Sequence, residues 1–144
     1  MKLSTRCIYG TRAMLEIARN YKNGPVKRQH IAKSQGISVS YLENILITLK
    51  TQCLIRTTRG ARGGFTLETS PEKITMFQII TALEGSIAPV DCVENHNTCD
   101  RMGHCIAQKF WQNFYEIQVK FLKTTNLQTL LDLEITINEN DFCI

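Results

Sequence analysis

Acidic side chains are almost missing from the first 64 residues of this 144-residue chain. That segment holds 12 lysines and arginines but only two acids, Glu16 and Glu43, so its net charge is +10. Residues 65–144 carry 5 basic and 11 acidic residues, a net charge of −6. So large an excess in one half favours a polyanionic partner, and we expect the first half to contact nucleic acid.

Long apolar runs are missing as well. No stretch approaches the roughly 20 apolar residues that a membrane span needs. Charged residues interrupt the opening MKLSTRCIYGTRAMLEIA, so a secretory signal is not expected. We therefore predict a cytoplasmic protein without membrane contact. Disulfides are rare in that compartment, where clustered cysteines more often bind metal or carry out redox chemistry.

Patterns typical of catalysis are also lacking. The sequence has no Cys-x-x-Cys redox pair, no phosphate-binding loop and no paired acid–base constellation. An enzyme, such as a small cysteine oxidoreductase, is therefore not expected. With 43% hydrophobic and 21% charged residues, the chain has the composition of an ordinary globular protein, and its length suits one domain with an appendage.

The first half predicts a helix-turn-helix. Ser4 can cap a first helix that runs to about Tyr21, in which apolar residues recur every four positions. A second helix over about 27–35 ends at Gly36. A third begins at Ser38 or Ser40, and its open face carries small polar groups. Two helices separated by a glycine turn are typical of DNA-binding proteins.

A basic hairpin follows the third helix. Residues 54–57 and 65–67 are strand-like, and RGARGG at 59–64 joins them. A helix-turn-helix followed by such a hairpin is a winged helix. Its glycines let the backbone approach DNA closely, while Arg59 and Arg62 can reach phosphates or the minor groove.

The second half predicts a fourth helix, a loop and a long amphipathic helix. Thr75 and Gln78 have capping-box spacing, and Gly85 follows the fourth helix. The long helix begins after Cys105, and its aromatic and aliphatic stripe needs a partner: Phe110, Phe114, Ile117 and Phe121. We expect this stripe to pack on a second subunit, which places two recognition helices on two half-sites.

The fold class is therefore mainly α with a small β-hairpin wing, a winged helix-turn-helix plus a long C-terminal dimerisation helix. The predicted divisions are a DNA-binding domain, a cysteine-rich cluster-binding loop, a dimerisation helix with a short terminal helix, and a loose tail. They cover residues 1–85, 86–105, 106–133 and 134–144 respectively.

Three cysteines lie close together in the predicted loop. Six residues separate Cys92 from Cys99, and five separate Cys99 from Cys105. Zinc sites usually contain a closer cysteine pair, whereas an iron–sulfur cluster suits wider spacing and is held chiefly by thiolates. A zinc ion and a disulfide switch remain alternatives. Cys53, between third helix and wing, is expected to be a small buried side chain.

Several motifs in this order resemble the Rrf-two family of bacterial transcription regulators. They are MKLSTR at the start, GPV at 24–26, ISVSYLE at 37–43, RGARGGF at 59–65, and three spaced cysteines before a helix with an early tryptophan. The resemblance covers Met1 to about residue 133. It implies a homodimer that binds a partly palindromic double-stranded DNA operator and senses through an iron–sulfur cluster held by Cys92, Cys99 and Cys105.

The resemblance also extends to individual DNA contacts. It carries over Ser38, Ser40, Tyr41, Glu43 and Asn44 on the recognition helix, and Arg59 as the wing arginine of the minor groove. In one group of members, the glutamate at the position of Glu43 discriminates between operator classes. The complete set predicted to bind DNA is Arg28, Ser38, Ser40, Tyr41, Glu43, Asn44, Lys50, Arg59, Gly60 and Arg62.

This chain departs from the family pattern at the fourth ligand. Where some members have a ligating histidine it has Gln108, and where others have an aspartate it has Ile8. Cys7, acting across the dimer, and His104 are the candidates that remain, with His96 as a rival. Both 2Fe–2S and 4Fe–4S clusters stay open, as do the signal and the direction of regulation. Some family members lack a cluster and respond to thiol oxidation or a protein partner.

Overall fold

The computed structural model describes residues 2–95, 99–101 and 103–141. Within these residues six helices and one hairpin follow one another in the predicted order. Their bounds are α1 Thr5–Arg19, α2 Arg28–Gln35, α3 Val39–Thr51, β1 Ile55–Thr58, β2 Gly64–Leu67, α4 Met76–Glu84, α5 Ile106–Thr124 and α6 Leu127–Asp141. Single 3-10 turns lie at Pro71–Lys73 and Asp91–Val93. The predicted mainly α fold class with a hairpin wing is confirmed.

Capping side chains set the helix starts. Ser4 accepts from the Cys7 amide, and Thr75 with Gln78 forms the complete capping box. At α3 the cap is Ser38, which accepts from the Tyr41 amide at 3.3 Å. The alternative capping box of Ser40 with Glu43 does not form, because Ser38 already takes an amide of the first turn and the Glu43 carboxylate binds Arg28.

The core lies where α1, α3 and α4 meet. The predicted apolar face of α3 is confirmed, since its four members are fully buried: Leu42, Ile45, Leu46 and Leu49. Gly10 allows α1 to approach α4, because a Cβ there would lie 2.4 Å from Leu83 Cδ1. On α1 the apolar face predicted from the four-residue spacing includes Met14 and Ile17, which are buried, and Tyr21, which is 38% exposed; Cys7 lies inside as well.

The hairpin is tied to the chain ahead of α2. Its antiparallel strands pair Ile55 with Leu67 and Thr58 with Gly64. Strand β2 also pairs with Val26, where Val26 and Phe65 exchange two backbone hydrogen bonds of 2.9 Å each. These bonds hold the wing against the start of the helix-turn-helix.

The prediction of a loose tail over 134–144 is wrong for residues 134–141, because α6 continues to Asp141. Arg19 of α1 donates two hydrogen bonds to the Glu134 carboxylate, at 2.8 and 2.6 Å. Leu127, at the start of α6, is fully buried and anchors the helix. The polar composition of this segment therefore did not indicate a helix, because the ion pair that holds it joins Glu134 to Arg19, 115 residues earlier in the chain. Cys143 lies outside the described residues.

The expected burial of Cys53 is also wrong. Cys53 is exposed and has a φ of 55°, in the left-handed region. Its amide donates to Lys50 O and that of Leu54 to Leu49 O, which closes the end of α3. The turn buries Leu54, 5% exposed, and directs Cys53 to solvent.

Candidate nucleic-acid interface and cysteine loop

The recognition helix α3 presents a polar face. Four of its predicted contacts are exposed on or beside it: Ser38, Ser40, Glu43 and Asn44. Lys50, near its end, is exposed too. Tyr41 is half-buried, and its ring meets that of Tyr9 edge to face at 6.2 Å between centroids. Tyr41 therefore also packs α3 onto α1.

An ion pair crosses the helix-turn-helix. Arg28 Nη1 of α2 donates to Glu43 Oε1 of α3 at 2.7 Å, and both side chains remain about half exposed. A pair so exposed contributes little stability. Its electrostatic consequence is larger, because it neutralises the carboxylate that the recognition helix would otherwise present to phosphates.

The wing lies beside α2. Arg59, Gly60 and Arg62 are exposed at its tip, and Gly60 has a φ of 110°, which favours glycine. A cleft of about 400 Å³ separates the wing from residues 27–29 at the start of α2. Lys27 and Arg28 line this cleft from the α2 side, and backbone, threonine and glycine groups line it from the wing side, so the basic charge comes from α2.

The three loop cysteines are free thiols on different local structures. Cys92 lies half-buried in the Asp91–Val93 turn, Cys99 is exposed, and Cys105 is the half-buried N-cap residue of α5. Among residues 2–95, 99–101 and 103–141 no group of three or more His, Cys, Asp or Glu side chains is placed to hold a metal ion. The thiols suit an iron–sulfur cluster in chemical kind, but this arrangement does not gather them.

The candidate fourth ligands differ in their surroundings. Cys7 is 1% exposed inside the core of its own chain. Burial, and then the nearby Glu84 carboxylate, raise the pKa of the Cys7 thiol to about 11. A neutral buried thiol is a poor metal ligand, which favours a packing role. His104 is exposed next to Cys105, and His96 lies outside the described residues.

The outward stripe of α5 is uncovered in the single chain. Its four members are exposed by 60, 41, 70 and 65%: Phe110, Phe114, Ile117 and Phe121. Trp111 meets Phe110 and Phe114 edge to face at 4.9 and 6.3 Å. The exposure of this stripe agrees with the predicted need for a partner on this face, since soluble monomers rarely leave such a stripe in water.

A polar contact between loop and α5 escaped the sequence analysis. Glu94 Oε2 accepts from Ser86 Oγ at 2.6 Å, and Glu94 Oε1 accepts from the Tyr115 hydroxyl at 3.1 Å. Burial, and then Glu94, raise the pKa of Tyr115. The three residues are far apart in sequence and match no motif. The only sequence feature that pointed to this contact was the position of Tyr115 on the inner side of α5.

An exposed polar recognition helix beside a basic wing defines a winged-helix DNA-binding transcription regulator, a class that is not enzymatic. The family model Rrf2, described as an iron-dependent transcriptional regulator, matches residues 3–133. The chain belongs to this family. Its helices include none in the described part that is both long and apolar enough to cross a membrane.

Known relatives agree with this assignment. The protein rrf2 of Nitratidesulfovibrio vulgaris is 39% identical over 91% of this chain and 87% of its own length. The solved structure of CymR (YrzC), the global cysteine regulator of B. subtilis, is similar with a TM-score of 0.79 and 31% identity, covering 92% of this chain and 98% of that one. The structure of T. potens IscR has a TM-score of 0.75 and 30% identity, covering 92% and 87%.

Proposed function

We propose that this chain is a cytoplasmic homodimeric regulator whose affinity for a DNA operator is controlled by an iron–sulfur cluster on Cys92, Cys99 and Cys105. The observation that carries the proposal is the place of these three free thiols. They lie in the segment that joins the DNA-binding helices to the uncovered stripe of α5. A chemical change there can alter how two DNA-binding units are held relative to one another.

DNA binding rests on the exposed residues of α3 and the wing. Arg59 and Arg62 supply contacts that do not depend on base sequence, while Ser40 and Asn44 offer hydrogen bonds to base edges. The Arg28–Glu43 pair reduces the repulsion of the carboxylate from DNA. An operator selected from random duplexes should therefore be bound with a steep salt dependence.

Dimerisation rests on the α5 stripe. A second copy covers an apolar stripe with the same stripe about a two-fold axis, and a palindromic operator then meets two identical recognition helices. Phe114→Glu should give monomers in sedimentation and weaken operator binding. Asn113→Glu, on the exposed neighbouring position, is the matched control and should remain dimeric.

The sensor rests on the chemistry of the thiols. Cys105 is the N-cap residue of α5, where the unpaired amide groups of the helix stabilise negative charge on a bound ligand. A cluster bound to three cysteines would supply a reversible link that is sensitive to iron supply and oxidation. Because the described arrangement does not gather the thiols, binding must be accompanied by a rearrangement of the loop.

The test is iron and acid-labile sulfide per chain, with a visible spectrum, on protein purified without oxygen. Two irons per chain indicate 2Fe–2S and four indicate 4Fe–4S. Cys92→Ser should lose the cluster, whereas Cys53→Ser, the exposed cysteine outside the loop, should keep it. Retention in Cys7→Ser and loss in His104→Ala would assign the fourth ligand to His104. Iron-free protein would contradict the cluster proposal.

A thiol switch is the second candidate, because all three loop cysteines are free thiols and none is fully buried. Mild oxidation with diamide would join two loop thiols as a disulfide, while diamide takes up the two electrons and two protons. This candidate predicts colourless protein whose operator affinity changes on oxidation and recovers with dithiothreitol.

A further inference from the structure

The carboxylate of Glu94 joins the segment that follows α4 to helix α5, and these belong to different functional parts of the chain. On one side it accepts from Ser86, which comes two residues after the end of α4. On the other it accepts from Tyr115 in the middle of α5. We call Ser86, Glu94 and Tyr115 the Glu94 bridge. It lies at the junction between the DNA-binding domain and the proposed dimerisation helix.

The same residue is rigidly joined to Cys92. The Glu94 and Asn95 amides both donate to Asp91 O, at 3.2 and 2.9 Å, so the backbone closes around Cys92. Val93, between Cys92 and Glu94, is 5% exposed and anchors the turn in the interior. A displacement of Cys92 therefore has to move the Glu94 side chain or break its contacts.

The bridge also leads into the DNA-binding domain. Ser86 follows α4, whose last residue, Glu84, accepts from the Ser4 amide at 2.8 Å and the Ser4 hydroxyl at 2.6 Å. Ser4 caps α1. Hydrogen bonds thus connect the turn that carries Cys92 to α5 on one side and to α1 through α4 on the other.

We propose that Glu94 is a positioning residue that couples the state of Cys92 to the position of α5 through Tyr115. This inference rests on the proposed function, because it explains how a change at the loop thiols reaches the dimerisation helix. Coupling between two positions is measured as the non-additivity of two changes. The test therefore combines a change at Cys92 with the removal of one bridge contact.

The chain for the test keeps Cys92 and the buried Cys7, with serine at the other four cysteines. N-ethylmaleimide then modifies Cys92, whose thiol adds across the maleimide double bond. Hydrogen exchange of the amides over 112–119 is measured with and without this modification. The same pair of measurements is made on Tyr115→Phe and on Tyr21→Phe. Tyr21→Phe is the matched control, because it removes the hydroxyl of an exposed tyrosine just after the C-terminal end of α1.

With Tyr115 present, modification should speed exchange over 112–119 by about tenfold, as expected for the loss of a hydrogen bond to a charged group. In Tyr115→Phe the exchange should already be faster, and modification should change it less than about twofold. Tyr21→Phe should respond like the parent. An equal response in Tyr115→Phe, or no response in the parent, would overturn the proposal.

The exchange experiment uses neither DNA nor iron, so its result is independent of the proposed function. A second arm measures operator affinity before and after modification. If the Glu94 bridge transmits the change, Tyr115→Phe should bring the ratio of the two affinities to about one while Tyr21→Phe keeps the parent ratio. If exchange responds but operator affinity never does, the coupling stands, and modification of Cys92 alone does not control DNA binding.

Discussion

Replacing Gly64 with alanine should detach the wing from the helix-turn-helix. A Cβ at this position would lie 2.5 Å from Val26 O and 2.7 Å from Val26 C, both backbone atoms that no rotamer change can move. To relieve the overlap, β2 has to withdraw from Val26. The two Val26–Phe65 hydrogen bonds of 2.9 Å are then lengthened or lost.

The magnitude follows from these contacts. Two backbone hydrogen bonds contribute about 1 kcal/mol each, and residual overlap adds about 1 kcal/mol. Alanine has less conformational entropy than glycine in the unfolded chain, which offsets about 0.5 kcal/mol of this loss of stability. We therefore expect Gly64→Ala to lower the free energy of unfolding by about 2–3 kcal/mol.

DNA binding should fall with it, because a displaced wing no longer presents Arg59 and Arg62 in a fixed relation to α3. We expect about tenfold weaker binding of a selected operator at unchanged helix content. Urea denaturation and fluorescence anisotropy measure the two effects. Thr57→Ala, on the facing strand, is the control. If Gly64→Ala is as stable as the parent and binds DNA equally well, the contact of the wing with Val26 does not position it.

Three further outcomes are expected. Arg59→Ala with Arg62→Ala should reduce the slope of log affinity against log salt by about 2, whereas Lys120→Ala on α5 should leave it unchanged. Glu134→Gln should cost about 0.5–1 kcal/mol in urea denaturation, since both side chains of its pair with Arg19 are a little over one-third exposed; an unchanged midpoint would mean that the pair does not secure α6. The pKa of Cys7 is raised from 9.0 to about 11, so the neutral thiol should stabilise the folded chain fully below pH 9. This contribution to the free energy of unfolding should be lost as the pH rises through about 11, and Cys7→Ala should remove that pH-dependent loss.

The sequence predicted those features that depend on local patterns. Helix caps such as Ser4 and Thr75 act within three residues, and the apolar face of α3 repeats with the helical period. The wing was located to within one residue at each strand, because RGARGG can only be a turn. The exposed stripe of α5 followed from the same periodicity.

Pairings between distant residues could not be predicted in this way. Glu134 meets Arg19 across 115 positions, and that ion pair helps to hold a helix whose composition resembles a loose tail. The burial of Cys7 had a sequence signal, since Cys7, Gly10, Met14 and Ile17 recur with helical spacing.

The candidate site divides in the same way. The residues predicted to contact DNA follow from the motif order, and the structure leaves them exposed except for the half-buried Tyr41. The Glu94 bridge depends on how the segment between α4 and α5, residues 85–105, places Glu94 beside α5, which no local rule specifies. Which groups surround the three thiols is likewise a property of the assembled dimer and loop.

The central claim, that the loop thiols control operator binding, is tested most directly by one comparison. Operator affinity is measured by anisotropy on oxygen-free protein before and after removal of bound iron, for the parent and for Cys92→Ser. We predict that removal of iron changes the operator affinity of the parent by about tenfold or more and does not change that of Cys92→Ser. Equal affinities for iron-loaded and iron-free parent would contradict it.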